Sequence, residues 1–306
     1  MISTQEAINL EDKFGAHNYH PLPVVLSKGE GVHVWDPEGN KYYDFLSAYS
    51  AVNQGHCHPR IINKLKEQAE KLTLVSRAFY SDQLGAYEEY MHDLFGYDKL
   101  LPMNTGAEGV ETAIKLCRKW SYEKKNLTPE KATIIVAKGN FHGRTTSIIS
   151  FSNDPVAREN FGPYTPGFVS IPYDDLDALE EALKEKDVAG FLVEPIQGEA
   201  GVVVPSDGYL KKAAELCQKH NVLFIADEIQ TGIARTGEML CVDHEDVRPD
   251  IVILGKALSG GAYPVSAIMA DDEIMDSMRP GVHGSTYGGN PLACAVAMEA
   301  LKVVQD

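Results

Sequence analysis

Six short apolar segments, rich in β-branched residues, recur from residue 132 onward in this 306-residue chain. They lie at 132–137, 167–171, 188–194, 222–227, 250–254 and 265–270. Amphipathic patterns such as DDLDALEEALKEK and DGYLKKAAELCQKH separate several of them and have the spacing of helices that pack one face on a sheet. Strands that alternate with helices predict an α/β fold with a mostly parallel central sheet.

Two chemically active side chains follow strands of this predicted sheet. Asp227 ends the run VLFIAD, and Lys256 follows DIVIL after a single glycine. Ligands of open α/β sheets bind beyond the carboxyl ends of the strands. Each residue also has a simpler interpretation, because an aspartate after a strand commonly caps a helix and a lysine commonly extends to water.

The chain divides into three predicted parts. Residues 1–50 contain GVHVWDPEGNKYYDF, whose alternating runs around PEGN predict a β-hairpin. Residues 51–290 contain the large α/β domain, with further helical patterns at 59–72 and 82–95. Residues 291–306 predict a helix that begins near a proline.

Composition and charge narrow the partners and the compartment. The formal net charge of −16 argues against a general binder of nucleic acid or of anionic membranes, and no apolar run reaches membrane-spanning length. The five cysteines are scattered and form no CxxC pair, which is typical of free thiols in a reducing compartment. The opening MISTQEAINLEDKF resembles neither a secretory signal nor a transit peptide. We therefore predict a cytoplasmic protein.

Small-residue loops are candidates for phosphate binding, although the usual nucleotide fingerprints do not occur. Asn104-Thr105-Gly106-Ala107 precedes a helical pattern, so its free N–H groups are suited to a phosphate. A simple helix cap is the alternative. His56-Cys57-His58 invites a metal interpretation, but three consecutive residues cannot all face one ion. A structural loop is the better interpretation there, and we predict no metal.

Several longer segments resemble the class III pyridoxal 5'-phosphate (PLP) dependent aminotransferases, and they are most similar to the ornithine-specific members. The segments occur in the family's order from about residue 15 to the end of the chain. They are GAHNYHPLPVV (15–25), FLSAYSAVNQGHCHP (45–59), LPMNTGAEGVETAIKL (101–116), GNFHGRT (139–145), VEPIQGEAGVVVP (193–205), ADEIQTG (226–232), ILGKALSGG (253–261) and GSTYGGNPL (284–292).

The resemblance implies fold type I, with PLP as the cofactor. Lys256 corresponds to the lysine that binds the cofactor aldehyde covalently, and Asp227 to the partner of the pyridine nitrogen. A C-terminal small domain, which carries a second carboxylate-binding arginine in the family, would follow residue 306. Other implied cofactor contacts are Gly106, Ala107, Phe141, His142, Gln230 and, from the neighbouring subunit of a homodimer, Ser285 and Thr286. Relatives often carry a bulkier aromatic residue at the position of His142.

The resemblance also implies the substrates, which are small amino acids and 2-oxo acids. Tyr19 and Arg144 correspond to the pair that holds the α-amino and α-carboxylate groups of ornithine, Tyr49 to a pocket wall and Glu199 to a gate. The implied reaction transfers the δ-amino group of ornithine to 2-oxoglutarate. Acetylornithine or 4-aminobutyrate aminotransferase activity, or a PLP-binding remnant without activity, are the alternatives.

Overall fold

The computed structural model describes residues 2–306. A small antiparallel sheet contains three strands: β1 (Lys28–Glu30), β2 (His33–Trp35) and β3 (Lys41–Tyr43). The central sheet contains seven strands: β4 (Lys99–Met103), β5 (Thr133–Ala137), β6 (Phe168–Ile171), β7 (Val188–Val193), β8 (Leu223–Asp227), β9 (Ile251–Leu254) and β10 (Ser266–Ala270).

Helices pack on both faces of the central sheet. They are α1 (Thr4–Phe14), α2 (Ser47–Ser50), α3 (Pro59–Ala69), α4 (Leu84–Phe95), α5 (Gly106–Lys124), α6 (Thr146–Ile149), α7 (Pro155–Arg158), α8 (Leu176–Leu183), α9 (Tyr209–Lys219), α10 (Asp272–Met275) and α11 (Pro291–Gln305). Two short 3-10 helices occur at Cys241–Glu245 and Lys256–Ser259. The element α2 is a single turn in which all four residues have positive φ.

The central sheet has the strand order β4-β10-β9-β8-β7-β5-β6. Strands β5 to β9 run parallel to one another, whereas β10 is antiparallel to both β4 and β9. The predicted α/β fold with a mostly parallel sheet is therefore confirmed. The six predicted strands occur within one residue of their predicted limits, and the patterns at 59–72 and 82–95 form α3 and α4. The division of the chain at residues 50 and 290 stays a prediction.

The core lies on both faces of the central sheet. Ile253 packs in the cluster on the α5 side, with Val110 and Ile114. Its neighbours Val252 and Leu254 belong to the cluster on the opposite face, which α4, α8, α9 and α11 cover. A strand that is buried on both faces has apolar residues at successive positions, which explains why these segments read as continuous apolar runs.

The pairing of β8 with β9 determines where the chemistry gathers. The two strands are parallel, and Asp227 at the end of β8 is the register partner of Ile253. Lys256 follows two residues after β9 ends, so both side chains lie at the same edge of the sheet. Within residues 2–306 no helix combines the length and the apolar character needed to cross a membrane.

Candidate active site

A cavity opens at the carboxyl edge of the central sheet, between the strand ends and the start of α5. Residues from five separate segments line it: Gly106, Ala107, Phe141, His142, Gly143, Glu194, Ile196, Glu199, Asp227, Ile229, Gln230, Thr231 and Lys256. Eight of the residues predicted from the sequence as catalytic, cofactor-binding or substrate-binding are among them. They are Gly106, Ala107, Phe141, His142, Glu199, Asp227, Gln230 and Lys256.

Lys256 is a half-buried amine at the first position of a 3-10 helix. Its backbone has a φ of 44°, in the left-handed region that residues with a side chain rarely adopt. Burial lowers the pKa of Lys256, and this effect outweighs the nearby charges of Asp227, Glu199 and Glu194, which act to raise it. A lowered pKa increases the fraction of neutral amine, which is the form that acts as nucleophile and as base.

Asp227 and His142 form a buried pair. His142 Nδ1 lies 2.6 Å from Asp227 Oδ2, and because a carboxylate only accepts, the imidazole N–H is the donor. Asp227 Oδ1 also accepts the N–H of Ile229 at 3.1 Å. Burial acts to lower the pKa of His142, but the hydrogen bond and the charge of Asp227 outweigh it, and the pKa is raised. The two hydrogen bonds thus hold the Asp227 carboxylate in one orientation.

A second buried carboxyl group, Glu194, stands directly after β7 and was missed in the sequence analysis. Its Oε1 accepts the N–H of Phe141 at 2.8 Å, so it supports the segment that carries Phe141 and His142. Burial raises the pKa of Glu194 to about 7. The signal was available, because Glu194 ends the predicted strand 188–194 in the same way as Asp227 ends the predicted strand 222–227.

The start of α5 is organised by a capping box. Thr105 Oγ1 accepts the N–H of Glu108 at 3.3 Å, and Glu108 Oε2 accepts the N–H of Thr105 at 3.0 Å. The N–H groups of Gly106 and Ala107 belong to the first turn and have no partner within the helix. Both residues line the cavity, so their N–H groups and the helix dipole make this end suitable for an anion.

Two predicted substrate residues lie at the mouth of the cavity. Arg144 is exposed, with its guanidinium carbon 5.6 Å from the centre of the Phe141 ring. Glu199 Oε1 accepts a hydrogen bond from Gln230 Nε2 at 3.1 Å. This hydrogen bond holds the Glu199 carboxylate at the wall of the cavity.

The other predicted residues lie outside the cavity of the single chain. Tyr19 is 63% exposed in the segment after α1, and Tyr49 is 50% exposed on α2. Ser285 Oγ accepts a hydrogen bond from Asn104 Nδ2 at 2.8 Å, immediately before α5. Thr286 is exposed. His56, from the segment considered for a metal, is 2.7 Å from Asp44 through its Nε2.

Comparison with known proteins decides the family. The family model for aminotransferase class III matches residues 14–306. The chain is a class III aminotransferase. The resemblance noted in the sequence is therefore confirmed.

The similar proteins of this aminotransferase include several ornithine aminotransferases. The one from Drosophila ananassae is 67% identical over 97% of this chain and 68% of its own length. The one from Rattus norvegicus is 62% identical over 99% of this chain and 69% of its own length. The solved ornithine aminotransferase of Toxoplasma gondii superposes with a TM-score of 0.99 at 54% identity, over 100% of this chain and 72% of that one.

A differently named relative is also close. The solved acetylornithine aminotransferase of Elizabethkingia anophelis has a TM-score of 0.90 at 62% identity. The match covers 100% of this aminotransferase and 74% of the other chain.

The predicted cytoplasmic location is wrong. The relatives from Drosophila melanogaster, Rattus norvegicus and Arabidopsis thaliana are named as mitochondrial. The prediction relied on the lack of a leader-like pattern in the first residues, and a missing pattern carries no physical information about a destination.

PLP is the cofactor of this family, and a Toxoplasma gondii ornithine aminotransferase structure is described with partial occupancy of PLP at its active site. The cavity fits PLP on its own chemistry. It offers one amine for an aldehyde at Lys256, one buried carboxylate for a ring N–H at Asp227, and free N–H groups at the start of α5 for a phosphate. A side chain at Gly106 would bring its Cβ to 3.0 Å from Ile229, which also lines the cavity, so the close approach of these two residues favours glycine here.

Proposed function

We propose that this aminotransferase transfers the δ-amino group of L-ornithine to 2-oxoglutarate. The products are glutamate and glutamate 5-semialdehyde, which cyclises to pyrroline-5-carboxylate. The observation that carries the proposal is the cluster of Lys256, Asp227 and His142 at the cavity, in a chain whose relatives named ornithine aminotransferases are 58–67% identical. The substrates are small molecules, and the acidic chain has no proposed role with nucleic acid.

Lys256 is the proposed nucleophile and base. PLP, when bound, supplies an aldehyde that amines attack and a protonated ring that accepts the electron pair of the adjacent C–H bond. The neutral amine of Lys256 removes the proton from the substrate carbon that bears the reacting amine and returns it on the cofactor side. Burial supports this role because it lowers the pKa of Lys256.

Asp227 and His142 have the proposed role of keeping the ring nitrogen protonated. An anionic carboxylate stabilises a neighbouring cation, and the hydrogen bond from His142 holds Asp227 in place. Phe141 and Gln230 line the same cavity. When PLP is bound, Phe141 would stack on the ring and Gln230 would contact the ring hydroxyl. The buried Glu194 supports the Phe141 backbone by accepting its N–H.

A homodimer is part of the proposal. Gly106 and Ala107 bind the phosphate through their N–H groups, and Ser285 and Thr286 complete the phosphate site of the neighbouring subunit. Large apolar side chains support this arrangement, because Phe45 is 95% exposed and Tyr80 is fully exposed in the single chain. Such a surface is typical of an interface.

Three residues are proposed to bind the end of ornithine that does not react. Tyr19 accepts the α-amino group, Arg144 binds the α-carboxylate and Tyr49 forms a wall, so that the δ-amine is presented to the cofactor. The position of Arg144 beside the Phe141 ring supports this arrangement. Glu199, in contact with Gln230, acts as the gate between the two substrates.

The second candidate is N-acetylornithine, and the Elizabethkingia relative at 62% identity favours it. Single-turnover absorbance changes of the PLP-loaded chain separate the two, with L-ornithine, N-acetylornithine and 4-aminobutyrate compared at equal concentration. We expect ornithine to react at least about tenfold faster than the others. The proposed acceptor, Tyr19, binds a free α-amino group, and an acetylated one does not carry the same charge. The reverse order would establish the second candidate, and no reaction with any of them would refute both.

A further inference from the structure

The backbone that carries Lys256 needs support from elsewhere in the chain. Lys256 has a φ of 44°, and the turn that follows it has φ values of 59° at Gly260 and 74° at Gly261. A non-glycine residue in this region persists only where its surroundings hold it. The 3-10 helix Lys256–Ser259 is also too short to be rigid by itself.

The segment 51–54 packs directly against this turn. Gln54 Nε2 donates to the carbonyl oxygen of Ala257 at 3.0 Å and to that of Ala300 in α11 at 3.2 Å. Because the Ala257 carbonyl belongs to the residue next to Lys256, the amide of Gln54 acts on the same stretch of backbone. The amide also joins that stretch to α11.

The glycines make this approach possible. A Cβ at Gly261 would lie 2.3 Å from Val52 Cγ1, and one at Gly260 would lie 2.5 Å from Ile61 Cδ1. Both distances are far shorter than any real contact. Gly261 therefore allows the segment that carries Gln54 to approach the turn after Lys256, and Gly260 allows the same for Ile61 of α3.

The same segment is tied to the turn after Asp227. Asn53 Nδ2 donates to the carbonyl oxygen of Ile233 at 2.9 Å. Arg235 donates to Asn53 Oδ1 and, at 3.3 Å, to Ser47 Oγ in α2. Gln54 thus belongs to a segment that forms hydrogen bonds with both the turn after Lys256 and the turn after Asp227.

We infer that Gln54 is a positioning residue for Lys256, which acts by fixing the backbone on which the amine is mounted. The inference rests on the proposed role of Lys256. When the amide is lost, the Ala257 carbonyl keeps only the N–H of Gly260, which belongs to the same turn. The link from this turn to α11 is then broken, and the strained φ of Lys256 is free to relax. A displacement of about 1 Å at a reacting group can reduce a rate by up to about a hundredfold.

The test compares Gln54→Leu with Gln68→Leu in the same chain. Gln68 is a matched control, because its buried amide also donates to a backbone carbonyl, that of Leu72 at 2.9 Å, but it lies in α3. Two experiments are carried out for each variant. The first measures kcat and KM for ornithine with 2-oxoglutarate. The second measures the rate at which the apoprotein captures PLP on Lys256; the adduct is trapped with borohydride and its position is identified from the peptide mass.

We expect Gln54→Leu to lower both kcat and the capture rate about tenfold, with KM for ornithine within about twofold of the parent value. Gln68→Leu should leave kcat, KM and the capture rate within about twofold of the parent values. Its Tm should fall by about as much as that of Gln54→Leu. If Gln54→Leu does not fold, Gln54→Glu replaces it, since an ionised glutamate keeps the size but cannot donate to the carbonyls.

Equal behaviour of the two variants would overturn the inference, as would a change in KM alone. Failure of the proposed function is recognised separately in the parent chain. If PLP is trapped on a lysine other than Lys256, or if ornithine is not converted, the proposed function fails and the inference falls with it.

Discussion

Burial changes the acid–base character of several single residues in and near the cavity. It lowers the pKa of Lys256 and raises that of Glu194, so that both uncharged forms gain population near neutral pH. Glu228, the residue after Asp227, has no exposed surface, and its pKa is raised to about 7 by burial. His142 departs from this pattern, because the bond to Asp227 favours its charged form.

The first prediction concerns Lys256. Lys256→Ala should abolish transamination, with kcat reduced by at least about a thousandfold, because the substitution removes both the attachment point and the base. Lys125→Ala is the matched control: Lys125 is also half-buried with a lowered pKa, yet its amine donates to the carbonyl of Val188 on the sheet, outside the cavity. Steady-state assays with ornithine check both. A Lys256→Ala protein with the turnover of the parent would disprove the assigned role.

The second prediction concerns the pH dependence of stability. The Glu228 carboxylate accepts the N–H of Val242 at 2.9 Å and the hydroxyl of Thr231. Its pKa is about 7 in the folded chain against 4.5 for a free side chain, so between these values the folded state holds a proton that the unfolded state has released. Stability from this group is complete below about pH 4.5 and is lost as the pH rises toward 7.

Glu228→Gln has no proton to lose and should remove this effect. Relative to the parent, the free energy of unfolding of the variant should rise by roughly 1–3 kcal/mol between pH 5 and pH 8. Urea unfolding at the two pH values measures it, with the exposed Glu238→Gln as the control. A difference between variant and parent that stays constant over this range would contradict the raised pKa.

At the scale of elements, the ends of strands and helices carry the site. Strands β7, β8 and β9 each end near one of the residues Glu194, Asp227 and Lys256. The 19-residue α5 begins at the same edge, with its capping box and free N–H groups. The site therefore depends on how each element ends more than on its interior.

The third prediction concerns the cap of α5. Thr105→Ala removes the hydroxyl that accepts the N–H of Glu108, and it should reduce the free energy of unfolding by about 1 kcal/mol. It should also weaken PLP binding several-fold, because the first turn that presents Gly106 and Ala107 loses its anchor. Asp175→Ala is the control, since Asp175 caps α8 through the N–H of Ala178. Denaturant unfolding and PLP titration of the two apoproteins should show equal losses of stability but weaker PLP binding only for Thr105→Ala.

For the whole molecule, the distribution of exposed apolar side chains is the main feature. Within residues 2–306, four large apolar side chains are more than 80% exposed, and three of them, Leu22, Phe45 and Tyr80, lie in the first 80 residues. Tyr19 and Tyr49, proposed for the substrate, belong to the same region and lie outside the cavity of one chain. A second copy that covers this region would account for both observations.

The fourth prediction tests that arrangement. Tyr80→Asp places a charge in the proposed interface and should convert the dimer to a monomer, with PLP affinity reduced at least about tenfold because the phosphate site loses Ser285 and Thr286 of the neighbouring subunit. Val156→Asp changes an equally exposed residue on α7 and should alter neither property. Sedimentation velocity and PLP titration measure them. If the parent chain is itself monomeric and binds PLP as tightly as Tyr80→Asp, the dimer proposal is refuted.

Local sequence patterns predicted secondary-structure elements and two of the proposed catalytic residues. Apolar runs and helical periodicity are local properties, so six strands of the central sheet were located within one residue. Asp227 and Lys256 were identifiable because each stands at a strand end. The strand β4 was missed, since its KLLPM is short and carries a proline, and no element was predicted at these positions.

Tertiary structure decided what those residues do together. The bond between His142 and Asp227 joins positions 85 apart, and that between Gln54 and Ala257 joins positions 203 apart. The antiparallel placement of β10 and the burial of Glu194 likewise arise from contacts that no local pattern contains. A pKa and a strained φ depend on what surrounds a group in space, and only the folded chain brings those surroundings together.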